Sequence, residues 1–497
     1  MSDQPAAPDP ESDAGRSFGR QAGWNYVVFA LSKSMTLIMT VVLARLLGPA
    51  DFGLFALALL VMTLFDYVRD FGIAVALVQR AEPWSRLAPT GLTLTWVSGM
   101  LVGGLAAALA PAAAALLGDE RLTPMVQVLA IALVISALSV LPMAALRRRL
   151  DYRARLLPEV LGAVLKAAVA IGLAAGGAGV WSLVWAQLAA SVATTAAYWI
   201  LGRTSVRFGL DRTLAVALIR FGLPVTAVAF LTFAVFNAPT VAIGRLLGAE
   251  ELGYYTLAYR LPDLVVINLC TVVGDVLFSA LSRLQDDRRA LAARYLRTVR
   301  TVVAISAPIG LGLAAVSVDV VALFYGAQFA PAAGIAAALS VFTVLYSINF
   351  HAGDVYKSLG RPALLTGLGL LKLALLVPAV WWAAHRSALA VALAVVAVEA
   401  LMTVVRLNLV RHVLGVTVRA HAAALWGPLV AAAAMAAAVA ALVPLVPGWP
   451  VVLRLAAAVA VGAVLYAAAL RVLAPELPAA VRSMIRRRSA GPALEKA

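Results

Sequence analysis

Long apolar runs recur along the whole sequence of 497 residues, separated by short stretches that contain charges, proline or glycine. A helix needs about 20 mostly apolar residues to cross the hydrocarbon layer of a bilayer. Fourteen runs meet this requirement, at roughly 23–47, 52–78, 88–117, 123–146, 157–176, 178–201, 214–244, 252–281, 299–325, 331–357, 363–383, 387–410, 421–444 and 450–473. We therefore predict an all-α integral membrane protein with about fourteen transmembrane helices.

Charged residues are scarce and mostly basic. They make up 13% of the chain, whereas soluble domains carry roughly 25%. The net charge of +16 would also suit nucleic acid, but the basic residues sit in short loops between apolar runs, where they set membrane orientation. We therefore expect membrane lipids, and not nucleic acid, next to these loops. The single cysteine, Cys270, excludes an internal disulfide.

The 40 Lys and Arg residues are distributed unevenly between the two sides of the predicted spans. With a cytoplasmic start, and with basic residues near the end of a run counted in the adjoining loop, the N-terminal tail, the even-numbered loops and the C-terminus hold 30, the odd-numbered loops hold five, and five lie deeper within spans. Cytoplasmic loops of membrane proteins carry the excess of Lys and Arg. We therefore place both termini in the cytoplasm.

An internal repeat divides the chain. Residues 45–58 read RLLGPADFGLFALA and residues 245–258 read RLLGAEELGYYTLA, an offset of 200. Both copies fall at an outer loop between a first and a second helix, and six spans separate them. We therefore predict two parallel six-helix halves related by a pseudo-twofold axis, plus a final helix pair. Two matched halves suit a transporter that works by alternating access.

The repeat and the polar ends together predict five parts. These are a disordered cytoplasmic tail (1–22), an N-terminal half (23–213), a C-terminal half (214–411), the final helix pair (412–473) and a basic cytoplasmic tail (474–497). Within the repeat, Asp51 and Glu251 stand near helix N-termini, where the helix dipole favours negative charge. We interpret this motif as a stabilised turn between helices.

The repeat belongs to a longer series of stretches that carries a family resemblance. They read SMTLIMTVVLARLLGPADFGLFALA, FGIAVALVQR, RFGLPVTAVAF, IGRLLGAEELGYYTLAYRLP, FSALSRLQDDRRALAARYLRTVR, AISAPIGLGLAA and GDVYKSLGRPAL, in this order over most of residues 20–365. The sequence resembles bacterial polysaccharide transporters of the Wzx-like flippase group. This group lies in the MOP superfamily, which also includes the multidrug and toxin extrusion (MATE) transporters and the lipid II flippase.

The resemblance implies a multi-pass protein of the cytoplasmic (inner) membrane. Its substrate would be an undecaprenyl-diphosphate-linked oligosaccharide, exported for O-antigen, capsule or exopolysaccharide assembly, with polysaccharide polymerase machinery as a further partner. The sequence departs from the family at one point. Similar members often carry Asn-x-Asp in the seventh helix, but this chain has Asn237-Ala238-Pro239. The missing carboxylate leaves the coupling ion, H⁺ or Na⁺, open.

Charges inside the predicted spans are the candidate site. A charge at mid-membrane costs at least about 2.5–3.5 kcal/mol, so each one needs a partner or a wet cavity. If they line a central cavity, Lys33, Arg69 and Arg260 would bind the diphosphate, because cationic side chains bind phosphate oxygens. The other members would tune these cations, accept sugar hydroxyls or bind the coupling ion; they are Asp66, Asp70, Asn237, Asp263 and Asp275. Closed ion pairs that hold helices together are the alternative.

Two further groups of charges are less central. His351, Asp354 and Lys357 would form a gate or, as we favour, a solvated helix end. Lys372 and Glu399 would either pair between helices 11 and 12 or face the cavity.

The loop 282–300 combines basic residues with Leu284, Leu291 and Tyr295 at near-helical spacing. This pattern predicts an amphipathic helix on the inner leaflet.

Two other functions remain open. A multidrug exporter of the same fold would favour an acidic, aromatic-lined cavity. A membrane-embedded polysaccharide polymerase would need a large soluble loop with clustered His, Asp or Arg, whereas the longest loop has under about 25 residues. The four histidines are scattered, and no metal-ligand or Gly-rich phosphate motif occurs. We therefore expect neither an enzyme nor a metal or cofactor.

Overall fold

The computed structural model describes residues 34–80, 82–149, 151–203, 207–282, 284 and 287–476, and every regular element within them is helical. The chain divides into two compact units, with the boundary between Phe233 and Ala234. The α-helices are α1 (Ser34–Leu46), α2 (Pro49–Asp70), α3 (Ile73–Gln79), α4 (Trp84–Leu117), α5 (Leu122–Ala137), α6 (Val140–Arg148), α7 (Tyr152–Ala175), α8 (Trp181–Gly202), α9 (Arg212–Leu246), α10 (Ala249–Pro262), α11 (Asn268–Ser282), α12 (Arg288–Ala315), α13 (Ser317–Phe324), α14 (Ala332–Phe350), α15 (Ala352–Ser358), α16 (Ala363–Ala384), α17 (Ala388–Leu414), α18 (Val418–Leu442) and α19 (Val451–Leu473).

Twelve helices in the described residues are long and apolar enough to cross a membrane. They are α2, α4, α5 together with α6, α7, α8, α9, α12, α14 together with α15, α16, α17, α18 and α19. The predicted class, an all-helical multi-pass membrane protein, is confirmed. The first predicted span is described from Ser34 onward, as α1, and the eighth is helical from Ala249 to Ser282 with one irregular turn.

Both copies of the repeat begin a helix directly after a glycine. α2 follows Gly48 and α10 follows Gly248. The Asp51 carboxylate accepts the N–H of Gly48 at 3.1 Å, which caps the start of α2. Gly248 has a φ of +89°, a conformation that favours glycine. The motif therefore shapes the turns that precede these two helices.

The stretches FGIA and RFGLP meet backbone to backbone in the first unit. Phe71 and Gly72 have φ values of 41° and 66°, and they separate α2 from α3. A Cβ added to Gly222 of α9 would lie 1.6 Å from the carbonyl oxygen of Phe71, and one on Gly72 would lie 2.6 Å from the Gly222 Cα. This approach leaves room only for glycine, so two of the stretches that carry the family resemblance form a single contact.

The core beside this contact joins α3, α4, α6 and α9. Its largest buried side chains are Ile73, Leu77, Leu87, Leu92, Leu141, Leu214 and Leu218. The shared core fixes these four helices relative to one another within the first unit.

In the second unit, the basic stretch after residue 287 is the first part of a transmembrane helix. α12 runs unbroken from Arg288 to Ala315. Leu291 and Tyr295 are fully buried, and the Tyr295 ring meets His421 of α18 edge-on, with 5.9 Å between ring centroids. The predicted amphipathic helix on the inner leaflet is therefore wrong, because its apolar side chains pack against protein. Residues 283, 285 and 286 lie outside the described part.

The final helix pair packs against α12 within the second unit. The Tyr466 hydroxyl donates to the Ala304 carbonyl at 2.6 Å. Arg454 of α19 forms an ion pair with the buried Asp319 of α13. These contacts attach α19 to α12 and α13. The predicted domain bounds remain a prediction.

The helix from Ala249 to Ser282 contains one π turn, Asp263–Ile267, between α10 and α11. Pro262, the last residue of α10, has no N–H to donate. The Asn268 side-chain amide donates to the carbonyls of Asp263 and Leu264 at 3.1 and 3.0 Å. It thus supplies hydrogen bonds to carbonyls that lipid could not satisfy.

Candidate functional site

A cavity of about 560 Å³ lies within the first unit, among α2, α3, α5, α6 and α8. Pockets that hold small molecules commonly measure roughly 300–1,000 Å³. Its polar and charged lining consists of Thr63, Asp66, Tyr67, Arg69, Asp70, Ser136, Ser139, Arg147, Gln187 and Ser191. Two acids balance two arginines, and the remaining groups can donate and accept hydrogen bonds.

α2 supplies three of these charges because residues three and four apart share a helix face. Arg69 Nη2 lies 2.7 Å from Asp66 Oδ1. Arg69 Nη1 donates to Ser136 Oγ at 3.1 Å and to the Leu133 carbonyl at 3.4 Å. The arginine is 8% exposed, whereas the Asp66 side chain is 52% exposed. Protein groups therefore hold Arg69, and Asp66 is the accessible member of the pair.

Asp70 has a structural partner as well as a place in the cavity. Its carboxylate lies near the backbone N–H groups of Gly72 and Ala74, at the start of α3, and it interacts electrostatically with Arg69. It thereby stabilises the chain reversal that brings Gly72 to Gly222. The cavity and the glycine contact are consequently linked through one side chain.

Arg147 of α6 also lines the cavity. It was not predicted as a site residue, because the orientation of the protein in the membrane already accounts for basic residues in the run Arg147–Arg149. The three arginines differ in the structure. Arg148 donates to two backbone carbonyls and Arg149 to one, each at 3.2 Å. Arg147 Nε, in contrast, is buried and has no hydrogen-bond partner among the described residues. A signal did exist: Val140, Met143 and Arg147 line the cavity at helical spacing.

A lysine and an amide extend this polar region. Lys166 Nζ of α7 donates to Gln187 Oε1 of α8 at 2.6 Å, and it lies 5.9 Å from the centre of the Phe55 ring. Gln187 lines the cavity, so this hydrogen bond connects Lys166 to the cavity lining. This lysine therefore extends the polar region beyond the cavity lining.

The second unit contains a buried charge network of its own. Glu399 of α17 is fully buried, and its carboxylate lies 2.6 Å from Lys372 Nζ of α16 and 3.3 Å from Arg406 Nη1. Asn349 of α14 donates to the same carboxylate at 3.1 Å and to Thr403 Oγ1 at 2.6 Å. Of the two predicted alternatives for Lys372 and Glu399, the structure shows the pair.

Aromatic rings border this network along one face of α14. Phe342, Tyr346 and Phe350 follow one another at a spacing of four residues, with 5.9 and 5.6 Å between successive ring centroids. Lys372 Nζ lies 5.7 Å from the Phe342 ring centre and 6.0 Å from that of Phe236. The Phe342 and Phe236 rings attract the buried ammonium through their π electrons.

The remaining predicted site residues belong to α9, α11 and the region of the π turn, or they lie outside the described residues. Arg260 is exposed and Asp263 half-buried, on either side of Pro262 at the π turn. Asn237 is half-buried in α9. Asp275 lies in α11, but its side chain, like all of Lys33, is outside the described residues. The structure thus brings together the three charges of α2, and direct substrate contact by any predicted residue stays a prediction.

His351, Asp354 and Lys357 form a compact cluster where α14 gives way to α15. His351 Nδ1 lies 3.2 Å from Asp354 Oδ2, and Lys357 Nζ donates to Asp354 Oδ1 at 2.9 Å. His351 and Asp354 are 0% and 3% exposed. The favoured expectation of a solvated helix end is therefore wrong for these two side chains, which are packed inside the second unit.

Comparison with known proteins adds an independent finding. A family model described as a polysaccharide biosynthesis protein matches residues 42–334. The chain is 26% identical over 414 residues to the lipopolysaccharide biosynthesis protein WzxC of Escherichia coli (strain K12), which covers 82% of this chain and 84% of that protein. It is 25% identical over 329 residues to the succinoglycan biosynthesis transport protein ExoT of Rhizobium meliloti (strain 1021), which covers 63% of each.

A solved structure shares the fold. The lipid II flippase MurJ in an inward closed conformation superposes with a TM-score of 0.72 at 12% sequence identity, over 91% of this chain and 99% of that chain.

Proposed function

We propose a transport function from one premise: the chain belongs to the polysaccharide biosynthesis protein family. It moves an undecaprenyl-diphosphate-linked oligosaccharide from the inner to the outer leaflet of the cytoplasmic membrane, for surface polysaccharide assembly. One relative in which the match covers 63% of the chain is named as a transport protein for succinoglycan biosynthesis. Translocation breaks no covalent bond, so the protein acts as a transporter and not as an enzyme.

The observation that carries this proposal is the charge-balanced cavity of the first unit. A sugar is neutral and presents many hydroxyl groups, and the cavity offers hydroxyl, amide, carboxylate and guanidinium groups to meet them. An organic cation would instead favour a net negative lining. Asp66 and Arg69 form an ion pair and also belong to this lining. The presence of charges within α2 is therefore consistent with a polar cavity as well as with a closed ion pair.

We further propose fourteen transmembrane helices in two six-helix halves plus the final pair, with both termini in the cytoplasm. Ser34–Leu46 and the helical stretch 249–282 would raise the twelve candidate spans to fourteen. A shared pairing supports the two halves. In each unit a lysine lies 2.6 Å from a Gln or Glu oxygen on the next helix, Lys166 with Gln187 and Lys372 with Glu399.

Alternating access between the two halves would carry the substrate across. Lys33, Arg69 and Arg260 are proposed to bind the diphosphate. The carboxylates and the amide are proposed to orient these cations, to accept sugar hydroxyls or to bind the coupling H⁺ or Na⁺; they are Asp66, Asp70, Asn237, Asp263 and Asp275. The polysaccharide polymerase that consumes the exported unit is a further proposed partner.

Reconstituted protein tests this function directly. Proteoliposomes that contain the full chain should move a fluorescent undecaprenyl-diphosphate-linked oligosaccharide between leaflets, whereas empty liposomes should not. Replacing Lys33, Arg69 or Arg260 singly by Ala should slow translocation, by about tenfold where a charge-assisted phosphate contact is lost. Initial rates at matched protein content are the measurement.

Two outcomes would contradict the proposal at different points. Full-rate translocation by all three variants would remove the proposed diphosphate contacts but keep the function. Export of cationic drugs without movement of the oligosaccharide would replace the flippase by a multidrug exporter.

A further inference from the structure

We propose that Arg147 and Arg155 form a phosphate-binding site at the cytoplasmic end of the first unit. This site would take the diphosphate of a polyprenyl-linked substrate from the inner leaflet and hold it while the sugars enter the adjoining cavity. The inference rests on the proposed function for the identity of the substrate. The geometry of the two arginines stands on its own.

The two guanidinium groups are close and repel each other. Arg147 lies at the end of α6, Arg155 lies in α7 just after the intervening turn, and their charges interact unfavourably. Glu159 and Asp70 both interact favourably with Arg147, and the Glu159 carboxylate accepts a hydrogen bond from the Tyr198 hydroxyl at 3.3 Å. Neither arginine forms a salt bridge within the described ranges. Glu159 is exposed and Asp70 also interacts with Arg69, so an anion placed between the two half-buried arginines would relieve their mutual repulsion.

Both arginines also have donors without acceptors. In the part of the chain that the structure describes, Arg147 Nε and Arg155 Nε are buried and have no hydrogen-bond partner. Buried polar groups in proteins are nearly always hydrogen-bonded. A guanidinium has five N–H donors in a planar fork that matches two phosphate oxygens. A diphosphate, with its row of oxygens, could accept from both arginines together and satisfy these donors.

Orientation of the membrane protein does not explain this arrangement. The positive-inside rule requires basic residues in the loop, and Arg148 and Arg149 meet it while donating to backbone carbonyls. Arg147 instead faces the cavity that also holds Asp66 and Arg69. The phosphate site and the sugar-binding lining are therefore continuous along one wall, as a substrate with a phosphate next to its first sugar requires.

Binding of a short polyprenyl diphosphate tests the site apart from transport. Full-length protein in nanodiscs of phosphatidylcholine is titrated with radiolabelled farnesyl diphosphate. Arg147→Gln and Arg155→Gln should each weaken binding by about tenfold, the effect of losing a hydrogen-bonded charge pair. Arg149→Gln removes the same charge from the same loop and should leave the affinity unchanged. Arg147→Lys keeps the charge without the planar fork and should bind with intermediate affinity.

A second set of nanodiscs contains phosphatidylglycerol, because a phospholipid headgroup offers the same phosphate chemistry. The proposal expects farnesyl diphosphate to retain its affinity there; loss of binding in these discs would make the site a phospholipid site and overturn it. Equal weakening by Arg149→Gln would also overturn it. Thermal unfolding midpoints identify any variant that fails to fold, and Arg147→Lys then decides.

The site and the proposed function can fail separately. Wild-type protein that binds farnesyl diphosphate through Arg147 and Arg155 but moves no oligosaccharide would refute the flippase and keep the site. Wild-type rates of translocation and unchanged binding in Arg147→Gln and Arg155→Gln would refute the site and keep the flippase.

Discussion

Gly222→Ala is expected to destabilise the protein by about 3 kcal/mol or more, at or beyond the upper end of overpacking effects. The added Cβ would lie 1.6 Å from the Phe71 carbonyl oxygen, and the neighbouring atoms belong to the backbone of Phe71 and Gly72. No side chain can turn aside to make room, so α9 must move away from the junction of α2 and α3. The measurement is the unfolding free energy of the purified protein, obtained from thermal and denaturant unfolding in the same detergent.

Gly172→Ala is the matched control for this substitution. Gly172 lies inside α7, and a Cβ there meets nothing within 4 Å. Alanine should be neutral or stabilising at this position, by up to about 1 kcal/mol from helix propensity. Similar unfolding free energies for the two variants would show that the backbone contact between Gly72 and Gly222 does not hold the first unit together. Asp70 lies at the same junction and also lines the cavity, so Gly222→Ala should disturb the cavity and slow translocation as well.

Glu399→Gln is expected to destabilise the protein by about 3–5 kcal/mol, the range found when one partner of a buried ion pair is removed. The substitution keeps the shape of the side chain but leaves the buried Lys372 and the largely buried Arg406 without their shared anion. Lys372→Met should cost less, because Glu399 would still accept from Arg406 and Asn349. The same unfolding measurements give both values.

An exposed ion pair provides the comparison for this network. Arg86 pairs with Asp211 at 2.9 Å, but its side chain is 66% exposed. Arg86→Gln should therefore change the unfolding free energy by less than about 1 kcal/mol. A Lys372→Met variant that is less stable than Glu399→Gln would contradict the central position of Glu399 in the network.

Hydropathy predicted the class of this protein and the approximate place of the twelve described helices that are long and apolar enough to cross a membrane, because helix length and apolar character are local properties of the sequence. It could not predict where a span is broken. The apolar run at 123–146 contains both α5 and α6, and the run at 331–357 contains both α14 and α15. These interruptions depend on backbone conformation and tertiary contacts, which a hydropathy average does not register.

The site was predicted less completely, for a different reason. The three charges of α2 stand out because they follow a long apolar stretch of the helix, but Leu133 and Ser136, which accept from Arg69, lie more than 60 residues away in sequence. Arg147 was overlooked because one general rule, the excess of positive charge in cytoplasmic loops, already accounted for it. In the structure it differs from its neighbours because it lines the cavity, whereas Arg148 and Arg149 donate to backbone carbonyls.

The π turn at Asp263–Ile267 sets the angle between the two parts of one long helix. One residue corresponds to about 100° of rotation and 1.5 Å of rise in an α-helix. If this turn tightened to α-helical geometry, every position in α11 would rotate by that angle relative to α10, while the hydrogen-bonded ladder stayed unbroken. A rotation of α11 at this turn would therefore present a different face of the helix to its neighbours without unfolding it. The rotation would require new hydrogen-bond partners for a few carbonyls and for the Asn268 amide.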